Sequence, residues 1–423
     1  MNYSNPSNLA VLACPGAEVF SDEVIAHLKK GYKRTFDSMI KRLSKLYNME
    51  SNAVIRQVNL FNDINFPQSS VKGSADKYRP LKIKVSAKFT HFANGEIKTE
   101  ILESIRGKDL YIIQDVGNNY PVNYNNGESK KVLSVNDHLL TIFVTVDAAK
   151  QAGAQRITLV TPVYPYSRQH KAKGREGLTA GRVGKILESL GVNQIITLDL
   201  HSRDIINAFD KMKLENLHAS YQMVRAFSRL PGIHNDDIVV VAPDTGAVDR
   251  NRFYANAFKK PLAMLYKERD YSRITKNAEE SNIADLKLLG DIKNKTVFLS
   301  DDMVDVGGTL LSEMRFLKEH GAGKLICCIS LPFFNGDAIR HFDAAYKEKL
   351  FFRIIGTNAV YQEELLKREW YISVNITNLF AQTISRLHQG LSVSSLLDNR
   401  EIITRHFLEA KEQGNLASQL PFE

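Results

Sequence analysis

The chain has 423 residues, of which 43% are hydrophobic and 24% are charged, and it is long enough for two or three globular domains. Its 56 lysines and arginines exceed its 47 aspartates and glutamates, and the net charge of +9 favours anionic partners. No zinc-finger spacing, RNA-binding signature or membrane-length apolar run is present, so we expect neither nucleic acid nor membrane as a partner and favour small phosphates.

The cysteine content favours a reducing compartment. Cys14, Cys327 and Cys328 lie in apolar runs without metal-ligand spacing. An odd count that includes an adjacent pair argues against a disulfide scaffold. The first residues, MNYSNPSNLAVLACPG, lack the basic region and long apolar core of a secretory signal peptide. We therefore expect a cytoplasmic protein.

The first half of the chain predicts a strand followed by helical segments. Residues 10–13 form a short apolar run, residues 22–28 have a helical pattern, and from Thr35 apolar residues recur at the spacing of one helix face. Lysines and arginines fill the opposite face, and we interpret this segment as a helix whose apolar side covers a core. The further predictions are loops at 66–76 and 117–129, strands at 82–88, 110–113 and 157–163, and a helix at 137–152.

The second half repeats the alternation of strands and helices. Short runs rich in Val, Ile and Leu predict strands at 194–200, 238–242, 261–266, 296–299 and 325–330. Helical patterns separate many of these runs, which is typical of mainly parallel sheets covered by helices. The sequence therefore predicts an α/β fold in two consecutive units. Beyond residue 400 the pattern is helical to about residue 408 and then polar.

The stretch TVFLSDDMVDVGGTL, residues 296–310, carries the clearest chemical pattern. A short strand delivers Asp301 and Asp302 to its carboxyl end, and a glycine-containing turn leads to Thr309 at the start of a helix. Glycine amides and a helix amino end suit a phosphate, whereas paired carboxylates suit sugar hydroxyls or a bound cation. The pattern predicts a site for a phosphorylated sugar beside a divalent metal. The alternative is an ordinary acidic loop in a parallel sheet.

Clustered cations after a strand form a second candidate segment, YPYSRQHKAKGREGLTAG. Arg168, Lys171, Lys173 and Arg175 lie in this short loop, and such a cluster suits a polyphosphate. The alternative, a solvated surface loop, is equally compatible with the segment by itself.

Three shorter segments add candidate residues. His201 in TLDLHSRDI ends a predicted strand and suits a metal or phosphate, and Asp244 in APDTGA repeats the pattern of a strand followed by an acid. Lys267 and Arg269 are two apart, so on an extended strand they would point the same way and could neutralise charge on a transferring group. Each segment alone is compatible with ordinary surface structure.

The order of these segments is more specific than any one of them. In sequence they are FANGEIKTEI, NDHLL, YPYSRQ, LDLHS, APDTGA, YKER, SDDMVDVGGTL and HQGLSVSSLL. This series resembles the ribose-phosphate pyrophosphokinase family over most of the chain. The resemblance implies two phosphoribosyltransferase-like domains and transfer of the β,γ-diphosphoryl group of ATP to the 1-hydroxyl of ribose 5-phosphate. The resemblance further implies that the products are phosphoribosyl pyrophosphate and AMP and that Mg²⁺ is required.

The resemblance also implies roles for individual residues. Those expected to bind ATP are Phe92, Asn94, Glu96, Arg168, Gln169 and His201, the first three acting from a neighbouring subunit of a homo-oligomer. Those expected to bind ribose 5-phosphate are Asp301, Asp302, Asp305, Val306, Gly307, Gly308 and Thr309. His201 and Asp244 are expected at the metal, and Lys267 and Arg269 are expected to be catalytic.

The same resemblance suggests where the domains divide. We expect a first domain at 1–217, with insertions near 30–80 and 117–129, that is completed by a returning segment at 386–398. The second domain is expected at 218–385 and carries the sugar-phosphate loop, and 399–423 is a carboxyl-terminal extension.

Some positions depart from the family pattern. Val306 stands where Thr is usual, His170 replaces Asp, Gly177 replaces Pro, Gly181 replaces Lys, and Ala247 replaces Gly. These departures keep two alternatives open. One is a catalytically weak or inactive relative that binds nucleotides and regulates a partner, and the other is a phosphoribosyltransferase that acts on a base.

Overall fold

The computed structural model describes residues 8–65, 73–124, 127, 129–172, 174–233, 236–269, 283–397 and 400–412. Most of the loop predicted at 66–76, part of the loop predicted at 117–129, and Lys173 of the basic segment lie outside these residues. In the described ranges no helix combines the length and the apolar character needed to cross a membrane.

Strands and helices alternate along both halves of the chain. The described strands are β1 Leu9–Ala13, β2 Ala87–His91, β3 Ile97–Ile101, β4 Asp109–Ile113, β5 Pro121–Tyr124, β6 Ser129–Val132, β7 Arg156–Val160, β8 Gln194–Leu198, β9 Lys213–Leu217, β10 Ile238–Ala242, β11 Leu262–Arg269, β12 Ile283–Leu289, β13 Thr296–Val304, β14 Leu325–Pro332, β15 Arg353–Thr357 and β16 Tyr371–Val374. The described helices are α1 Glu18–Tyr47, α2 Ser51–Asn65, α3 Val135–Gln151, α4 Thr179–Ser189, α5 Ser220–Phe227, α6 Val248–Phe258, α7 Gly308–Glu319, α8 Ala338–Lys347, α9 Glu363–Leu366, α10 Thr377–His388, α11 Ser394–Leu397 and α12 Arg400–Glu412.

The chain forms two compact units. The first comprises Met1–Asn216 and Thr377–Leu396, and the second comprises Leu217–Ile376 and Leu397–Glu423. The segment that returns to the first unit therefore starts at Thr377, whereas the sequence prediction started it at residue 386. Helix α12, which was expected to be an extension, is part of the second unit.

The first unit is built on a sheet with strand order β1-β4-β7-β8-β9. The β1–β4, β4–β7 and β7–β8 pairs are parallel, and all five residues of β8 are buried, as expected where helices cover both faces. Two antiparallel hairpins, β2–β3 and β5–β6, stand beside this sheet. Helix α10 packs on α1, with the rings of Phe20 and Phe380 5.3 Å apart.

Helix α1 is continuous through the two segments that the sequence separated. Asn48, in the left-handed conformation, ends it, and α2 follows after a short turn. The predicted core-covering face is wrong in part: Ile40 is buried, whereas Met39, Leu46 and Tyr47 are 54%, 65% and 65% exposed. The sequence shows the helical period, but the period does not indicate how much of the helix packs against other parts of the protein.

The second unit is built on a sheet with strand order β12-β11-β10-β13-β14-β15-β16. Every pair is parallel except β11–β12. Of the strands in this sheet, β12, β15 and β16 were not predicted. Helix α12 covers α5 and α6, where the Phe407 ring lies 4.6 Å from that of Phe258. The predicted α/β class with mainly parallel sheets is confirmed.

Candidate functional site

The sugar-phosphate loop begins inside a strand. Strand β13 runs to Val304, so Asp301 and Asp302 lie within it and not in a loop after residue 299, as predicted. The pairing explains the difference: β10 pairs with β13 only to Leu299, whereas β14 continues to pair with it as far as Val304. At Asp301 and Asp302, therefore, β13 is paired with β14 along one edge and is no longer paired with β10 along the other.

The acidic pair is held close to an arginine. The Asp302 backbone N–H donates to Asp301 Oδ1 at 2.8 Å, and Nη1 of Arg250 lies 3.8 Å from Asp301 Oδ1 and 3.7 Å from Asp302 Oδ1. Burial raises the pKa of Asp301 well above its ordinary value, and the charge and hydrogen bond of Asp302 raise it further. The positive charge of Arg250 opposes this rise. The charge of Glu313, which is 1% exposed on α7, adds to the rise in pKa.

The turn after the acidic pair is rigidly built. Asn335 donates from Nδ2 to Asp305 Oδ1 at 2.9 Å and from its backbone N–H to the Asp305 carbonyl at 3.1 Å. Gly307 has φ +78°, and a Cβ there would lie 2.4 Å from the Phe342 ring. Both the backbone conformation and the close packing therefore require glycine.

Helix α7 presents its amino end to this turn. It begins at Gly308, and no side chain caps it. The first backbone N–H groups of a helix lack intrahelical acceptors, so this end suits an anion. Val306 is 39% exposed beside it, and Thr309 occupies the first turn. The loop from 301 to 309 thus combines carboxylates with backbone amides.

A second acidic loop follows β10. Asp244 Oδ1 accepts the backbone N–H of Ala247 at 2.9 Å. Ala247 has φ −90°, so the methyl group at this position causes no backbone strain. Asn251 on α6 donates to the Ser300 carbonyl at 2.9 Å and accepts the Ser300 N–H at 3.0 Å, which fixes α6 against β13 next to the acidic pair.

Lys267 and Arg269 lie in β11, which extends three residues past the predicted strand end at Tyr266. Their backbones pair with Leu286 and Ile283 of β12, and the register shifts between Glu268 and Arg269. Their side chains lie outside what the structure describes, so their shared direction stays a prediction.

In the first unit, the predicted adenine residues lie at the tip of the β2–β3 hairpin. The turn is closed by Phe92 N–H to the Glu96 carbonyl at 2.9 Å, and Asn94 Oδ1 accepts the Glu96 N–H at 3.1 Å. All three residues are exposed, and Phe92 is 44% exposed. The tip thus offers an aromatic ring and two polar side chains outward.

The basic segment after β7 forms a compact turn. The Gln169 N–H donates to the Tyr166 carbonyl at 2.8 Å, and the Tyr164 hydroxyl donates to the Ala180 carbonyl at 2.9 Å. Arg168 and Gln169 are exposed on this turn. Helix α4 starts at Thr179, and its Gly181 approaches Ala208 so closely that a Cβ would lie 3.0 Å from the alanine methyl. A larger residue at 181 would require this contact to open.

His170 and His201 meet beside this turn. Their ring centroids are 5.1 Å apart with an interplanar angle of 69°. Burial and the charges of His201 and Lys171 lower the pKa of His170. His201 itself is exposed at the end of β8.

Comparisons with known proteins identify the family. A model of the N-terminal domain of ribose phosphate pyrophosphokinase matches residues 78–191, and a phosphoribosyl transferase domain model matches residues 211–356. The ribose-phosphate pyrophosphokinase of Listeria ivanovii is 35% identical over 312 residues, which cover 73% of this chain and 88% of the relative. The chain belongs to the ribose-phosphate pyrophosphokinase family.

Other comparisons agree with this pyrophosphokinase assignment. The ribose-phosphate pyrophosphokinase of a Nostoc species is 33% identical over 308 residues, which cover 72% of this chain and 84% of the relative. The crystal structure of phosphoribosylpyrophosphate synthetase from Mycobacterium smegmatis superposes with a TM-score of 0.65 at 24% identity, covering 90% of this chain and 99% of that chain. The predicted family, enzyme class and two-domain fold are confirmed, and the inactive-relative alternative is not favoured.

The predicted residues of this pyrophosphokinase divide between the two units. Phe92, Asn94, Glu96, Arg168, Gln169 and His201 belong to the first unit, and Asp244, Lys267, Arg269, Asp301, Asp302, Asp305, Val306, Gly307, Gly308 and Thr309 belong to the second. Within the second unit the structure brings the acidic pair, the glycine turn and the start of α7 together.

Sequence reasoning missed Arg250, Asn251 and Glu313. Arg250 and Asn251 reach the acidic pair or its strand from α6, which follows β10. Glu313 acts on Asp301 from α7, one turn beyond the glycine turn that follows β13 itself. Arg250 closes the segment APDTGAVDR, so the one available signal was a cation six residues after Asp244. Nothing in the local pattern around Glu313 distinguishes it from a surface residue of an amphipathic helix.

Proposed function

We propose that this pyrophosphokinase transfers the β,γ-diphosphoryl group of ATP to the 1-hydroxyl of ribose 5-phosphate, forming phosphoribosyl pyrophosphate and AMP. The observation that carries the proposal is the loop from 301 to 309. It places two carboxylates beside the uncapped amino end of α7, in the unit that the phosphoribosyl transferase model matches. Relatives named ribose-phosphate pyrophosphokinase cover most of the chain and supply the reaction.

In the proposed arrangement, the sugar phosphate binds this loop with its 5-phosphate at the glycine turn. The amides of the turn and of the first turn of α7 would bind the 5-phosphate, because a helix amino end favours an anion. Asp301 and Asp302 would accept hydrogen bonds from the ribose hydroxyls. Val306 contributes no hydroxyl donor, so phosphate binding would depend on the backbone.

The nucleotide would bind through the first unit. Arg168 and Gln169 are exposed on the turn after β7, and His201 is exposed at the end of β8, which pairs in parallel with β7. A guanidinium and an imidazole at one edge of the sheet suit a polyphosphate. Phe92, Asn94 and Glu96 stand exposed at a hairpin tip, which supports the proposal that they hold the adenine of a neighbouring subunit in a homo-oligomer. Lys267 and Arg269 would neutralise charge on the transferring group.

Magnesium fits the donor set that the residues supply. Among the residues that the structure describes, no three His, Cys, Asp or Glu side chains come close enough to hold a metal ion. Mg²⁺ usually binds one or two protein carboxylates together with substrate phosphates, so Asp244 with the polyphosphate suits it and His201 adds one imidazole. When bound, the ion would neutralise phosphate charge. The free, buried cysteines support a cytoplasmic location.

The decisive experiment measures AMP and phosphoribosyl pyrophosphate formed by the purified protein from ATP, ribose 5-phosphate and Mg²⁺, with inorganic phosphate titrated in. We expect both products in equal amounts, and we expect Asp302→Asn to raise the KM for ribose 5-phosphate at least about tenfold. Asp337→Asn, which changes an exposed carboxylate before α8, is the matched control. Release of pyrophosphate from phosphoribosyl pyrophosphate and a base, without ATP, would contradict the proposal.

A further inference from the structure

The β2–β3 hairpin carries the exposed tip residues Phe92, Asn94 and Glu96, and its strands pair only with each other in the described ranges. A two-stranded hairpin by itself is marginally stable, so its position depends on what packs against it. Away from the tip, the Thr99 hydroxyl lies 3.0 Å from that of Thr145 on α3. The tip itself extends beyond this contact.

The β5–β6 hairpin packs against β2–β3 close to the tip. Val122 and Tyr124 of β5 are buried in a cluster with Leu133, and Phe89 of β2 and Ile97 of β3 pack against this cluster. Phe89 and Ile97 flank the tip, one on each strand. One apolar cluster therefore joins the two hairpins where the tip begins.

The residue that precedes the tip contacts the same hairpin. Nδ1 of His91 lies 3.0 Å from Nζ of Lys131 on β6 and 2.9 Å from the carbonyl oxygen of Phe92. The His91 ring also lies 5.5 Å from the Tyr124 ring. The contacts of β5–β6 thus reach the backbone of the aromatic tip residue.

These contacts come from one face of the β5–β6 hairpin. Val122 pairs with Lys131, and Tyr124 lies two residues further along β5, so the three side chains share that face. The opposite face is exposed and comprises Pro121, Asn123, Lys130 and Val132.

The β5–β6 hairpin is itself fixed at its base. Asn118 donates from Nδ2 to the Gly16 carbonyl at 2.8 Å, and the Asn118 carbonyl oxygen lies 2.9 Å from Nε2 of His138 on α3. A Cβ at Gly16 would lie 3.1 Å from Cγ1 of Val122, so the turn after β1 packs directly on β5. An anchored hairpin can restrict the motion of β2–β3.

We propose that the β5–β6 hairpin positions the β2–β3 tip for nucleotide binding, with Tyr124 and Lys131 as positioning residues. This inference rests on the proposed function, in which the tip holds the adenine of ATP. It gives a role to the segment expected as an insertion at 117–129. A tip that must be ordered on binding loses affinity, so these residues should affect the KM for ATP. Ribose 5-phosphate should be unaffected, because the loop from 301 to 309 belongs to the other unit.

The kinetic test measures AMP formation by the full-length protein at varied ATP and at varied ribose 5-phosphate. Tyr124→Leu should raise the KM for ATP at least about fivefold and leave kcat and the KM for ribose 5-phosphate within about twofold. Tyr124→Phe keeps the ring and should retain wild-type values. Asn123→Ala, on the exposed face of the same strand, is the control.

A second variant changes the surface and not the core. Lys131→Met should raise the KM for ATP about threefold, and Lys130→Met, on the opposite face, should leave it unchanged. Hydrogen exchange without nucleotide reports the tip directly. The Phe92 amide, which donates to the Glu96 carbonyl, should exchange faster in Tyr124→Leu and Lys131→Met than in the Lys130→Met control.

Unchanged exchange of the Phe92 amide in both variants would show that β5–β6 does not hold the tip. Faster exchange with an unchanged KM for ATP would also overturn the inference, as would equal losses for both substrates. Phe92→Ala separates the two proposals. If it raises the KM for ATP and Tyr124→Leu does not, only the positioning role is rejected, whereas a wild-type protein that forms no AMP rejects the proposed function.

Discussion

Arg250 determines how much negative charge the acidic pair of the second unit carries. Its guanidinium lies within 4 Å of both carboxylates, and it lowers the pKa of Asp301 against burial, Asp302 and Glu313. An arginine that contacts a carboxylate pair shifts the ionisation of those carboxylates. Its effect is therefore visible in the pH dependence of sugar binding.

We expect Arg250→Gln to raise the KM for ribose 5-phosphate about tenfold at neutral pH, because the pKa of Asp301 rises further and a smaller fraction stays ionised. As the pH falls, affinity should be lost at a higher pH than in the wild type. Initial rates across a pH series measure both effects. Arg252→Gln, which changes an exposed arginine two residues further along α6, is the control. If Arg250→Gln loses affinity for ribose 5-phosphate at the same pH as the wild type, the proposed effect of Arg250 on the acidic pair is contradicted.

Lys267→Ala should lower the rate of AMP formation by about 100-fold or more, since it removes a cation proposed to face the transferring group. Its free energy of unfolding should change by no more than about 0.5 kcal/mol. Lys287→Ala changes a lysine on the strand paired with β11 and should leave turnover unaffected. Equal turnover in both variants would contradict the catalytic assignment.

Asp115 should reduce stability at neutral pH. Burial raises its pKa to about 7, against the opposing hydrogen bonds from the Gly117 and Asn118 backbones. The folded protein then binds more protons than the unfolded chain between about pH 4 and 7, so stability falls as the pH rises through that window. Asp115→Asn should add up to about 4 kcal/mol above pH 7 and nothing below pH 4.

Thermal melting as a function of pH measures this effect. Asp147→Asn, at an exposed position of α3 in the same unit, is the matched control and should give a curve parallel to that of the wild type. A gain of the same size at pH 3 and pH 8 would show that it does not come from ionisation of Asp115.

Among the elements, helix α10 is fixed by a partly buried polar cluster at the start of β4 and β7. Asp109 accepts from Arg156 at 2.7 and 2.6 Å and pairs with His388 Nδ1 at 2.7 Å. Burial alone would raise the pKa of Asp109, but His388 and Arg156 outweigh it and lower the pKa. The cluster connects the last helix of the first unit to its central strands.

Asp109→Ala should destabilise the first unit by about 3 kcal/mol, because it leaves the buried His388 and the partly exposed Arg156 without their acid. Asp22→Ala breaks an exposed pair with Lys84 and should cost less than about 1 kcal/mol. Denaturant unfolding curves measure the difference. If both variants lose the same free energy of unfolding, the cluster stabilises the protein no more than a surface ion pair does.

The elements also show how much the sequence determines. Strand β8 and helix α3 were predicted within a few residues, because their apolar periods are regular. The extension of β13 was not predictable, since it depends on pairing with β14 rather than on residues 300–304 themselves. The loop from 301 to 309 was predictable from its local pattern, whereas Arg250 and Glu313 reach it only through tertiary packing.

At the scale of the molecule, the chain leaves the first unit after Asn216 and returns to it at Thr377 before ending on the second. Phe380 and Ile384 of α10 are fully buried in the first unit, and Phe407 of α12 is buried in the second. The two units therefore depend on different parts of the carboxyl-terminal region.

A chain that stops after Leu397 should keep the first unit intact and destabilise the second by about 3 kcal/mol, because it loses Phe407. A chain that stops after Ile376 should lose the structure of the first unit as well. Hydrogen exchange in α1 and β4 reports the first unit and exchange in α6 reports the second. Protection of α1 in the shorter chain equal to that in the full chain would contradict this dependence.

The return of α10 also has a consequence for synthesis on the ribosome. About 160 residues separate the two parts of the first unit, and at about 5–20 residues per second they take about 10 to 30 seconds to translate. During that interval the nascent first unit exposes the apolar surface that α10 later covers. Chaperone demand for this protein should therefore be greatest before translation ends, and slow codons after residue 216 should lengthen that period.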